Sequence, residues 1–353
     1  MEERSDMDAP PSREIEGIDL DLLEAWMDDQ GLPPGRIERV ERLTGGTQNV
    51  LLRFERGRHA YVLRRPPLHK RANSDETMRR EARVLAALAG SDVPHPGLVA
   101  ACPDEALMGA SFYLMEPVEG FNATRGLPAL HAGDPAIRRG MGFAMVEGIA
   151  SLAALDPRAI GLEGLGRPEG YLERQVSRWR HQLEGYAELE GYPGPEIPGV
   201  ERVADWLEAN RPPDEEPGLL HGDYHIANVL FSYTGPSLAA IVDWELATVG
   251  DPLLDLGALV AGWPDDDGRS ALGSVNGVIE GLPRAAELVA HYGERSARSL
   301  DAIDWYVVLA CYRLGIILEG THARACSGRA DRQVGDLLHA TTVALFERAL
   351  GRI

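Results

Sequence analysis

The sequence predicts an α+β chain of two lobes, a small antiparallel-sheet lobe followed by a larger helical one. Three observations lead there. Short runs rich in Val, Leu and Tyr, separated by glycine turns, fill residues 37–64. Helical periodicity takes over from Glu119 onward. Among the later helices lies a dense polar cluster flanked by apolar residues, His221-Gly222-Asp223-Tyr224-His225-Ile226-Ala227-Asn228.

Taken in order, residues 19–30 read as a helix, with Leu20, Leu22, Leu23 and Trp26 near one face and Gly31, Pro33 and Pro34 ending it. Strands are predicted over 37–43, 49–54 and 60–64, turning at Gly45-Gly46 and at Gly57, as a meander. Met78, Ala82, Leu85 and Leu88 give 74–89 a helical face. Two more strands are expected over 97–102 and 111–115. Helices follow over 137–155, 170–189 and 200–210, then the polar cluster, a strand over 239–242, and helical sequence over 253–262 and 285–350. Proline-rich breaks fall at 191–198 and 212–217. The expected organisation is a flexible tail over 1–17, an N-terminal lobe over 18–118 and a C-terminal lobe over 119–353, with a helical insert over about 156–217.

Composition excludes several classes. The 353 residues are 44% hydrophobic and 25% charged, ordinary for a globular chain. A net charge of −20 repels nucleic acid and anionic membrane surfaces and attracts cations. Cys102, Cys311 and Cys326 are far apart and form no metal-binding spacing, which fits a reducing cytoplasm. The polar N-terminus does not read as a secretory signal. The longest apolar run, 306–318, is too short to span a bilayer and carries Arg313.

Phosphoryl transfer suits the polar cluster. It leaves the protein little covalent work beyond positioning groups and neutralising charge. Such a reaction needs a carboxylate near the attacking hydroxyl and oxygen ligands for Mg²⁺. Asp223 and Asn228, five residues apart on an irregular loop, can face one cleft, and Asp243, ending the apolar strand Ile241-Val242, can meet them. The rival reading makes these three residues unrelated caps and turns.

An HGDxxxxN run followed by an apolar-apolar-Asp strand resembles the aminoglycoside phosphotransferase family, relatives of protein kinases. The resemblance implies a bilobal, protein-kinase-like fold, with Asp223 as catalytic base and Asn228 and Asp243 as Mg²⁺ ligands. It implies ATP as the phosphate donor, with GTP as another candidate, and a small-molecule hydroxyl as acceptor. In the N-terminal lobe, Gly45, Gly46 and Thr47 stand where a glycine-rich hairpin would approach the phosphates. Arg64, in Val62-Leu63-Arg64, stands where kinases carry lysine, and Glu81 on the next helix is its expected ion-pair partner. The segment 112–120 resembles the hinge, with the backbone of Glu116 and Val118 toward adenine.

The match extends over nearly the whole chain from about Asp19. It is strongest for the branch found alone in bacteria and fused to long-chain acyl-CoA dehydrogenases in eukaryotes, through 161–179 and 243–252. That branch implies a hydroxyacyl-CoA-like acceptor, whereas the acidic charge favours a polycation such as an aminoglycoside. Residues 69–71 and 178–181 are candidate basic patches for CoA phosphates. Asp255 is expected to tie the catalytic loop, and Asp251 to cap the following helix. Asp265-Asp266-Asp267-Gly268 reads as a solvated turn. The alternatives are a nucleotide-binding pseudokinase or regulatory scaffold without turnover, supported by Arg64 in place of lysine, and a metal-dependent hydrolase.

Overall fold

The computed structural model describes residues 13–43, 49–213, 217–265, 268, 270–272 and 280–353. The chain divides into two compact units, Met1–Gly90 with Pro96–Val118, and Ser91–His95 with Glu119–Ile353.

The first unit begins with a small hairpin, β1 (Glu14–Ile15), inside the stretch where the sequence predicts a tail, against β2 (Ile18–Asp19), just beyond it. Its cause is visible: Ile18 is fully buried, and Arg13 pairs with Asp21 and Glu24 and donates to the Ile37 carbonyl. Asp19 then caps α1 (Leu20–Asp29), accepting from Asp21 and Leu22. The main sheet is antiparallel, in the order β3 (Ile37–Arg42), β4 (Val50–Arg56), β5 (His59–Arg65), β7 (Phe112–Met115) and β6 (Leu98–Cys102). Along β4 every second residue is buried, the period-two signature of a sheet face. The run of buried residues in β5 reflects cover on both faces. Tyr61 and Leu63 join Leu23, Trp26 and Met27 of α1 in one core. On the opposite face, Arg64 meets Glu81 of α2 (Ser74–Leu88).

The second unit is mainly helical. It contains α3 (Ala129–Gly133), α4 (Pro135–Ala153), α5 (Glu173–Gly185), α6 (Val200–Ala209) and α7 (Leu253–Gly262), then Ala285–Gly293, Ile303–Cys326 and Arg332–Leu350. The expected helical stretch over 285–350 is thus broken into three. Ile303–Cys326 is the central helix, buried over most of its length. Glycines set its close approaches: a Cβ on Gly257 of α7 would lie 2.7 Å from the Tyr306 backbone, and one on Gly315 would lie 2.6 Å from the Phe346 ring. Two short antiparallel pairs carry the polar cluster: β8 (Gly218–Leu220) with β11 (Thr248–Gly250), and β9 (Val229–Phe231) with β10 (Leu238–Ile241). The sequence does not announce β11, because three residues carry no alternation and their pairing with β8 is set by distant chain.

The three cysteines are free. Among the described residues, no helix is long and apolar enough to cross a membrane.

Candidate active site

The polar cluster leaves β8 at His221 and returns to β9 after Asn228. Gly222 has φ +82°, and a Cβ there would lie 2.4 Å from the Leu246 carbonyl oxygen, so the loop needs glycine at this point. Asp255, buried in the first turn of α7, accepts from the His221 N–H at 2.6 Å and the Gly222 N–H at 2.9 Å. Burial pushes its carboxyl above the usual Asp value, although His221, the two N–H groups and Arg313 oppose this. The tie expected of Asp255 is therefore present.

His221 is fully buried and bonds in two directions. Its Nε2–H donates to the Val242 carbonyl at 2.9 Å, and its Nδ1 accepts from the Asp223 N–H at 3.3 Å. One donor and one acceptor nitrogen define a neutral imidazole, and burial lowers its pKa in the same sense. Tyr224, also fully buried, donates to the Met145 carbonyl of α4 at 2.8 Å. Arg313 of the central helix donates to the Gly222 carbonyl at 2.5 Å.

The three side chains singled out by the sequence hang from this frame. Asp223 keeps 43% of its side chain exposed. Burial raises its pKa, but the hydrogen bond from His225 and the nearby positive charges of His225 and Arg313 outweigh it, and the carboxyl lies below the usual value. The Asn228 amide nitrogen lies 3.0 Å from the Asp223 carbonyl and 3.1 Å from Asp223 Oδ2, which orients the amide. The Asn228 carbonyl accepts from the Val242 N–H at 2.9 Å, so the residue before Asp243 is bonded to both ends of the loop. Asp243 has φ 68° and ψ 62°, a left-handed conformation that costs a residue with a side chain about 1 kcal/mol or more. It follows β10 after one residue, Val242, and starts a single 3-10 turn, Trp244–Leu246. Trp244 locks that turn through Nε1–H to the Ile241 carbonyl at 3.0 Å, with its ring 4.9 Å from His221.

In the first unit, Arg64 and Glu81 form a buried ion pair at 2.8 Å. Tyr113 of β7 donates to the other Glu81 oxygen at 2.9 Å. The Glu116 N–H donates to the Gly97 carbonyl at 2.8 Å, and Val118 ends the unit. Gly45, Gly46 and Thr47 lie outside the described residues, as do Asp266 and Asp267.

The basic candidates separate. Lys70 is held by Asp75, Glu105 and the Gly109 carbonyl. Arg180 lies among Glu201, Asp205 and Glu208. Arg178 and Arg313 instead stack on the Trp179 ring, at 5.0 and 5.5 Å from it. A small cavity of about 40 Å³, bordered by His225, Ile226, Leu259, Trp263 and Leu272, adjoins the loop. Asp251 caps α7 at Leu253 and accepts from the Tyr306 hydroxyl at 2.6 Å, a structural role as expected. Sequence reasoning gave Arg313, His225 and His221 no role. A lone arginine within the apolar run 306–318 was the available sign for Arg313.

A small antiparallel sheet with a buried Arg–Glu pair and a helical unit holding a glycine-dependent polar loop define a protein of the kinase-like class. Residues 39–296 match the phosphotransferase enzyme family, and the chain belongs to that family. It is 33% identical over 327 residues to acyl-CoA dehydrogenase family member 11 of Gallus gallus, covering 90% of this chain and 40% of that protein. The chain thus spans about two fifths of the length of such relatives. A crystal structure from Ralstonia eutropha, assigned to the aminoglycoside phosphotransferases, is similar with TM-score 0.77 and 30% identity, covering 94% of this chain and 98% of that one. The fold is also shared with a thermostable mutant of aminoglycoside phosphotransferase APH(4)-Ia, solved with AMP-PNP and hygromycin B (TM-score 0.57, 14% identity, 90% and 98% covered).

Proposed function

We propose that this chain is an ATP-dependent small-molecule kinase that moves the γ-phosphate to an acceptor hydroxyl. The observation that carries the reading is the His221 imidazole, bonded to the backbone of Asp223 on one side and Val242 on the other. It makes the loop and the strand end one rigid piece, as a reaction dependent on positioning requires.

In this reading Asp223 orients the acceptor hydroxyl and takes its proton. A carboxyl with a lowered pKa is a weak base, so the proton moves late, once bond formation has made the hydroxyl acidic. Asn228 and Asp243 would hold Mg²⁺. The fit is supported by an all-oxygen donor set and by the orientation of Asn228, whose amide nitrogen faces Asp223 and leaves Oδ1 for a cation. When bound, the magnesium–nucleotide supplies the phosphoryl group and offsets its charge. Arg64, steadied by Glu81, would grip the phosphates, and a guanidinium fork is suited to this. Gly45, Gly46 and Thr47 would approach them through the backbone. Because the Glu116 N–H is taken by Gly97, the Glu116 carbonyl and Val118 N–H are the groups left for adenine.

The acceptor we favour is a hydroxyacyl-CoA-like metabolite over an aminoglycoside-like compound. Arg178 and Arg313 both lie over the Trp179 ring, Arg313 lies beside the loop, and the adjoining cavity is mostly apolar; these features suit an anionic, partly aliphatic molecule. The test is phosphate transfer from ATP across acyl-CoA, sugar and aminoglycoside hydroxyls, with Asp223→Ala alongside. The variant should keep its thermal midpoint and lose nearly all transfer. Undiminished turnover would overturn the assignment, and nucleotide binding without turnover on any acceptor would favour the scaffold.

A further inference from the structure

The last two helices of the chain assemble a second cluster of donor groups that has no part in the proposed transfer. Glu319 and His322, three residues apart on one face of Ile303–Cys326, meet His339 of Arg332–Leu350. One donor atom from each lies within 4.8 Å of the other two. Glu319 is fully buried. Its Oε1 accepts from the Tyr192 hydroxyl at 2.7 Å, and its Oε2 lies 2.7 Å from His339 Nδ1. The rings of His322 and His339 stack, with centroids 4.5 Å apart.

A buried ion pair would explain Glu319 and His339, but His322, stacked on His339, lies outside that pair. That residue is only 8% exposed; its Nδ1 makes no hydrogen bond among the described residues and lies 3.5 Å from the half-exposed Asp336 carboxylate. Stacked imidazoles repel if both are charged, which favours the neutral form of at least one ring. Neutral imidazole is the form that ligates metals. The Tyr192 hydroxyl holds one carboxylate oxygen and leaves the other facing the rings, as outer hydrogen bonds do around metal-binding carboxylates. Cys326 Sγ lies 3.5 Å from His322 Nε2 and adds a soft donor at the rim. The His339 side chain is 24% exposed, which gives an ion a way in.

We propose that Glu319, His322 and His339 bind a divalent transition metal of the zinc type, tying the two helices together. Two nitrogens and one carboxylate oxygen match zinc chemistry, and ligand atoms of a tetrahedral site stand about 3.3 Å apart.

The test uses the full, untagged chain after chelation, titrated with Co²⁺ in excess Mg²⁺ so that oxygen-only sites are filled. We expect one equivalent bound with a tetrahedral-type visible spectrum. Zn²⁺ should then raise the thermal midpoint by about 3 °C or more. His339→Asn, at a half-open position, and His322→Asn should each weaken binding about 100-fold, with folding checked by circular dichroism. No stoichiometric binding by the parent chain, or equal affinity in both folded variants, would overturn the proposal. Neither readout depends on turnover.

Discussion

His221 donates to the carbonyl of Val242 at 2.9 Å, joining the start of the polar loop to the residue that precedes Asp243. The bond is made by an uncharged ring, because its other nitrogen accepts from the Asp223 N–H.

Acid should therefore loosen this junction. Burial lowers the folded-state pKa of His221 from its ordinary 6.5, so the unfolded chain binds the extra proton first. This contribution to stability is present above pH 6.5 and falls as pH drops below it. Urea midpoints measured from pH 8 to pH 5 should decline in the parent and flatten in His221→Gln. An equally steep decline in that variant would assign the effect to another group.

Asp243 occupies a backbone conformation that suits glycine. Asp243→Gly should hold or raise stability by up to about 1 kcal/mol while abolishing phosphate transfer. A variant that is both destabilised and active would contradict the proposed role. Thermal unfolding and a coupled nucleotide assay on one preparation measure both.

Glu81 and Arg64 are buried together at 2.8 Å. Removing one charge strands the other, so Glu81→Gln should cost about 3 kcal/mol in urea unfolding and raise the KM for nucleotide about tenfold or more. Tyr113→Phe removes a single hydrogen bond to the same carboxylate and should cost about 1 kcal/mol.

His225 is the leading influence that lowers the Asp223 pKa against the opposing effect of burial. His225→Gln should move the acid limb of kcat/KM upward from its place below the ordinary Asp value of 3.8. The pH–rate profile reads this directly. An unmoved limb would mean that Arg313, and not His225, holds the carboxylate down.

Much of this was legible in the chain. Glycine turns and short runs rich in Val, Leu and Tyr over 37–64 announced the meander, and helical spacing in 74–89 announced the helix that brings Glu81 to Arg64. The order of Asp223, Asn228 and Asp243 announced the loop and the strand after it. What stayed hidden depends on distance in sequence. Nothing near Arg313 says that it reaches the Gly222 carbonyl, and nothing near Thr248 says that its strand pairs with Gly218–Leu220. Ile18 similarly gave no sign that burial would draw the segment before it into a hairpin.

The loop's tethers have a consequence for the order of events in folding. Asp255 reaches it across 34 residues, Tyr224 reaches α4 across 79, and Arg313 reaches back across 91. Contacts of such separation form only after the costs of closing long loops are met. A nascent or half-denatured chain therefore carries every reactive side chain and still lacks their arrangement. Competence should be the last property the unit gains during refolding and among the first it loses under stress.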